Sequence, residues 1–93
     1  MYNIDYLLKY VDNDTFKNIN NKSSYILEKL EKNYVDVDLN IRYLINYGIS
    51  NINKVVYTKL DELILEHNDF INSILEYEKK LNKEEVIMLL END

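Results

Sequence analysis

The sixteen residues from Ile41 to Val56, IRYLINYGISNINKVV, hold the only glycine of the chain, set between two apolar patterns of helical period. Leu44 and Ile45 follow Ile41 at i+3 and i+4, which makes one face of a helix apolar as far as Tyr47. Gly48 supplies what a helix C-terminus often needs, because a residue without Cβ takes positive φ at no steric cost. Ser50 stands where a following helix with Ile52, Val55 and Val56 would be capped. The stretch predicts short helices joined by tight corners.

The rest of the chain follows the same plan. Ile4, Leu7, Leu8 and Val11 make an apolar stripe flanked by Tyr6 and Tyr10. Asp14 is placed to cap a short helix with Phe16 and Ile19, and Asn20 to Ser23 read as a loop. A helix capped by Ser23 or Ser24 carries Ile26, Leu27, Leu30 and Tyr34. Val35-Asp36-Val37-Asp38 alternates like a strand but has no partner, so it reads as a connector whose Asp38 caps the helix of Leu39, Ile41, Leu44 and Ile45. Leu60, Leu63 and Ile64 continue the pattern after a bend near Thr58, and His67-Asn68-Asp69 is the next break. Phe70, Ile71, Ile74, Leu75 and Tyr77 mark a helix ending near Lys80. Asn82 and Glu85 have the spacing of a capping box, opening a last helix with Val86, Ile87, Leu89 and Leu90. The expected fold is all-α: one domain over 1–93, a compact bundle or array of five to seven short helices.

Composition restricts the class further. A chain of 93 residues with 46% apolar content supports one core and is too apolar for a disordered tail. With no cysteine, no disulfide framework is available, and an intracellular, cytoplasmic setting is expected. No run of 18 apolar residues and no basic-then-apolar leader occurs, so neither a membrane span nor export is expected. Nine Tyr, fourteen Asn and eleven Ile, with no Ala, Gln, Trp or Pro, favour A/T-rich codons and point to an AT-rich genome.

Ile4–Tyr10 and Ile41–Tyr47 match in pattern over seven residues, with a looser third copy from Ile74, at spacings of roughly 31 to 37 residues. Such spacing suits degenerate helical repeats. Tyr43-Leu44, Tyr47-Gly48-Ile49-Ser50, Val55-Val56, Leu60, Leu63-Ile64 and Phe70 to Leu90 fit the rhythm of helix, corner, short helix and middle helix. In this, residues 41–92 resemble the helical repeats of the mitochondrial transcription termination factor family. The resemblance implies a superhelical shape, and through it a nucleic-acid-associated protein. The family's proline at the start of the middle helix is absent, and no family site residue transfers.

Few residues here can carry catalysis. His67 is the only histidine, which leaves no triad and no multi-histidine metal site. The Asp12/Asp14 and Asp36/Asp38 pairs lack the further ligands of a calcium loop and read as helix caps. No glycine-rich phosphate loop occurs. No enzyme, cofactor or metal is expected.

Net charge is −6, from 17 acidic and 11 basic residues, which repels a phosphate backbone and favours a partner with a basic surface. The tyrosines add large contact area with a polar tip. The candidate partner-binding residues are therefore Tyr6, Tyr10, Tyr43, Tyr47, Tyr57, Asp36 and Asp38, with Gly48, Ser50, Asn82 and Glu85 as structural corners. The expected role is a non-catalytic protein–protein interaction module, an adaptor, regulator or inhibitor. A phage-encoded anti-defence inhibitor of a nucleic-acid-binding protein has this size and acidity. A nucleic-acid-associated helical repeat and a homo-oligomeric structural protein are the alternatives.

Overall fold

Side-chain caps set most of the boundaries in a computed structural model that describes residues 2–92. A 3-10 helix, Asp5–Lys9, precedes α1 (Asn13–Asn20), α2 (Ser24–Lys32), α3 (Tyr34–Tyr47), α4 (Ile52–Thr58), α5 (Leu60–Leu63), α6 (His67–Glu78) and α7 (Lys83–Asn92). The fold is all-α, with no strand among the described residues. Asp12 caps α1 by accepting the Thr15 N–H at 2.8 Å, and Ser23 caps α2 by accepting that of Ile26 at 3.3 Å.

Several boundaries differ from the sequence reading. Asp12, not Asp14, is the first cap, since only Asp12 sits three residues before an unpaired N–H that it reaches. Val35 to Asp38 is no connector but the opening of α3. Val37 is buried with Ile41 and Leu44, so the i, i+4, i+7 set outweighs the local alternation and Asp38 lies inside the helix rather than at its cap. Ser50 does not cap α4. Asn51 does, accepting the Lys54 N–H at 3.4 Å. His67 opens α6 instead of breaking the chain, because the Glu66 carboxylate accepts the Asn68 N–H. Tyr34, read as part of the helix capped by Ser23 or Ser24, instead opens α3 and is 55% exposed, while Ile45, Leu75 and Leu89 also face outward.

α3 is the central element. It packs against the 3-10 helix, α2, α4, α5 and α6, and Val37, Ile41 and Leu44 meet Leu7, Leu30, Leu63 and Ile74 in one core. Burying a side chain of this size stabilises by roughly 1.5–3 kcal/mol, so a few such residues determine whether the fold forms.

Gly48 closes α3 with φ +120°. Its N–H bonds to the carbonyls of Leu44 and Ile45, each at 3.2 Å, and the Ile49 N–H returns to Leu44 O at 3.1 Å. Those bonds satisfy the helix's last carbonyls and throw Ile49 back into the core beside Leu44.

The two seven-residue copies share side-chain roles but not backbone. Ile4 and Leu7, like Ile41 and Leu44, are buried, and Leu8 and Ile45 face out. Yet the first copy is a 3-10 helix and the second is the end of a fourteen-residue α-helix.

Gly48→Val meets two obstacles, the positive φ and an Ile87 methyl 3.2 Å from where a Cβ would sit. It should lower stability by more than about 1 kcal/mol, read as a drop in the urea unfolding midpoint. An unchanged midpoint would show that the corner does not need glycine.

Candidate interaction surface

One face of α3 is polar by design of its spacing: Asn33, Asp36 and Asn40 lie at i, i+3 and i+7 and meet the corner between α5 and α6. Asn33 Nδ2 donates to Ile64 O at 3.2 Å. Asn40, fully buried, donates from Nδ2 to both Leu63 O and Leu65 O at 3.0 Å. Asp36 Oδ1 accepts the His67 N–H at 3.1 Å, at the start of α6. Both N–H bonds of the Asn40 amide are used on carbonyls, so its oxygen faces His67 Nδ1 at 2.7 Å. His67 Nδ1 must then carry the proton that joins them. His67 and Asp36 are thereby structural, parts of a corner clasp. No buried side-chain nitrogen or oxygen among the described residues lacks a partner.

Of the five candidate tyrosines, Tyr6, Tyr10, Tyr43 and Tyr57 are half-buried and Tyr47 is buried. Tyr6 is half-buried and its hydroxyl donates to Leu30 O at 2.6 Å. The Tyr10 hydroxyl donates to Asp38 Oδ1 at 2.6 Å, and that of Tyr47 to Glu78 Oε2 at 2.7 Å. Tyr43 stacks on Tyr47 and meets Phe70 and His67 edge to face, which closes the seam between α3 and α6. Tyr57 is half-buried under Lys22, whose Nζ lies 4.3 Å from the ring centre. Asp38 gathers Lys9 at 3.0 Å and Arg42 at 2.8 Å in addition to Tyr10. The hydroxyls find acceptors on neighbouring elements, and that holds the rings against the fold. The exposed rings are others: Tyr25 at 62%, Tyr34 at 55% and Tyr77 at 37%.

The corner residues form two closed units. Asn82 Oδ1 accepts the Glu85 N–H at 2.9 Å, and Glu85 Oε1 accepts the Asn82 N–H at 3.0 Å. Ser50 and Asn51 present their N–H groups, with the Ser50 hydroxyl, to Glu91 Oε2 at 2.8, 3.4 and 3.1 Å. Glu91 of α7 thus holds the start of α4, a role with no local signal in the sequence. Asn40 did carry one: it interrupts the stripe Val37, Ile41, Leu44 with a polar side chain.

Acidic charge is sharply partitioned. Between Lys59 and Lys79 stand Asp61, Glu62, Glu66, Asp69, Glu76 and Glu78 and no Lys or Arg. Removing those six from 17 acidic residues leaves 11, equal to the 11 Lys and Arg, so the whole excess of −6 lies on the segment from α5 through α6. All but Glu62 are exposed. Asp69 and Glu76 are seven residues apart, two turns, and share a side of α6. Leu65, Leu75 and Tyr77 are exposed in the same segment.

No group of three or more His, Cys, Asp or Glu among the described residues is arranged to hold a metal ion. The hollow enclosed by Leu44, Val55, Phe70, Ile74 and Leu90 measures about 40 Å³, well below the roughly 300–1,000 Å³ of small-molecule sites. No helix among the described residues is long and apolar enough to cross a membrane.

Two predictions follow from the clasp and the buried hydroxyls. Asn40→Ala strands two carbonyls and the His67 Nδ1–H, and should cost about 2–4 kcal/mol in urea unfolding, whereas exposed Asn46→Ala should stay within about 0.5 kcal/mol. The second concerns pH. Partial burial raises the Asp38 carboxyl, but hydrogen bonds from Tyr10 and Lys9 and the charge of Arg42 outweigh it and hold it below its usual value. Glu91 is held low chiefly by the Ser50 N–H. Folded groups of lowered pKa bind fewer protons than unfolded ones, so their stabilisation exists above the unfolded value and is lost as pH falls through the folded one. Glu91→Gln should flatten that acid limb. Burial, then the Glu78 hydrogen bond, pushes Tyr47 up to about 12 from 10.0. Its stabilisation is complete below the unfolded value and is lost as pH rises through about 12, so Tyr47→Phe should flatten the alkaline limb in unfolding scans against pH.

Compared with protein-family models, curated proteins and solved structures, the chain matches none.

Proposed function

We propose that this chain is a non-catalytic, acidic protein–protein interaction module, an adaptor, regulator or inhibitor that docks on a basic surface of its partner. The observation that carries this reading is the gathering of the whole charge excess on the segment from α5 through α6, beside exposed Leu65, Leu75 and Tyr77. One sign of charge gathered on one segment steers association toward the opposite sign, and apolar side chains among the acids give that encounter something to bury. A nucleic-acid-binding protein offers such a basic surface, and an inhibitor of that class, as a phage would encode against a host nuclease, is the specific form proposed.

Asp61, Asp69 and Glu76 can be neutralised without touching a cap or the core, since the hydrogen bond and ion pair of Glu76 go to exposed Lys79. In pulldowns from the native host, the wild-type chain should enrich a partner with a basic surface. The Asp61→Asn/Asp69→Asn/Glu76→Gln variant should lose about tenfold or more of that capture. A partner captured equally by both would place recognition elsewhere, and no enriched partner at all would sink the reading.

A further inference from the structure

The opposite side of α3 carries a different surface, which does not rest on the acidic face. At about 100° per residue, Tyr34, Val35, Asp38 and Arg42 point away from Asn33, Asp36 and Asn40. The 3-10 helix runs alongside them in register. The Asn3 N–H meets Glu31 Oε2 at 2.7 Å, the Tyr6 ring meets Tyr34 edge to face at 6.2 Å, and Lys9 reaches Asp38. Between the 3-10 segment and the end of α2 and start of α3 lie two hollows separated by the Tyr6–Tyr34 pair. One, of about 480 Å³, is bordered by Asp5 and Glu31. The other, of about 330 Å³, is floored by Val35 and Leu39 and bordered by Lys9 and Arg42. The surface is therefore ordered along one line: two carboxylates, a protruding tyrosine, an apolar hollow, then two cations that share a single carboxylate, Asp38.

A patch with this order is complementary to itself turned end for end. We propose that the groove between the 3-10 helix and α3 is a two-fold interface with a second copy of this chain. A two-fold axis beside Tyr34 sets Asp5 and Glu31 of each copy against Lys9 and Arg42 of the other. It also seats each Tyr34 ring, 55% exposed in the single chain, in the opposite hollow over Val35, itself 55% exposed. Interfaces of this kind use one patch twice. The acidic α5–α6 segment packs on the other side of α3, about a helix diameter of 10–12 Å away. The acidic face of each copy then points away from the other and stays free in the pair. The patch is small, which makes the pair a weak and reversible one.

Sedimentation or light scattering at 0.15 M salt, from about 10 µM to about 1 mM protein, reads this directly. The weight-average mass should rise from 11.2 kDa toward twice that value. Val35→Arg, on an exposed helical position, should remain at 11.2 kDa throughout, with unchanged far-ultraviolet dichroism. Asp5→Lys and Arg42→Glu should each be monomeric alone, because each sets like charges face to face twice. Mixed one to one they should associate about tenfold or more strongly than either alone, since both contacts in the mixed pair are then of opposite sign. The proposal is overturned if the wild-type chain stays monomeric to about 1 mM, if Val35→Arg associates like wild type, or if the mixture gains nothing.

Discussion

The buried amide of Asn40 decides how the two halves of this chain meet. It spans α3, the Leu63 and Leu65 carbonyls and the His67 ring, and each of its polar atoms has a partner there. A leucine in its place would pack, but it would let α3 slide or rotate against the α5–α6 corner without losing any directional bond. Asn40 permits one axial position, because only one brings both carbonyls and the imidazole within reach. Core apolar residues supply most of the stabilisation, and this amide supplies the register. Asn33 and Asp36 extend the same lock to either side of the corner.

Tyrosine serves a related purpose. The chain has no alanine or tryptophan and only two phenylalanines, so its core edge is built from rings with hydroxyls. Each half-buried hydroxyl needs an acceptor, and Leu30 O, Asp38 and Glu78 provide them. The 3-10 segment is held to α2 by the Tyr6–Leu30 bond and the Asn3–Glu31 contact, and to α3 by the Tyr10–Asp38 bond. A five-residue helix could not keep its place by its own hydrogen bonding. The result separates two populations of acids. Asp38, Glu78 and Glu91 work within the fold, while Asp61, Asp69 and Glu76 face solvent.

Helices were legible wherever spacing alone determines burial. Ile41, Leu44, Val55, Val56, Phe70 and Ile74 occupy the core because period 3.6 leaves them no other side. Gly48 was legible because one residue type fits its backbone. Val35 to Asp38 misled because four alternating residues satisfy a strand and a helix turn equally, and Val37 reveals its role only through Ile41 and Leu44 further along. The orientation of the tyrosines was not legible, for a different reason. A ring at a core edge can turn toward solvent or toward a carbonyl, and the choice depends on acceptors 24 to 31 residues away in sequence. Charge segregation was present in the composition of one segment, but net charge averaged over the chain conceals it.

The caps differ in reach, and this orders the events of folding. Asp12, Ser23, Asn51 and Asn82 each bind an N–H three residues on, so they can form as soon as their own turn does. Glu91 instead closes a loop of 41 residues to reach Ser50. Chain entropy delays that contact until the intervening helices have assembled. The Ser50 amide thereby reports whether α7 is docked: every excursion of that helix frees it from Glu91, even while the core around Asn40 stays shut.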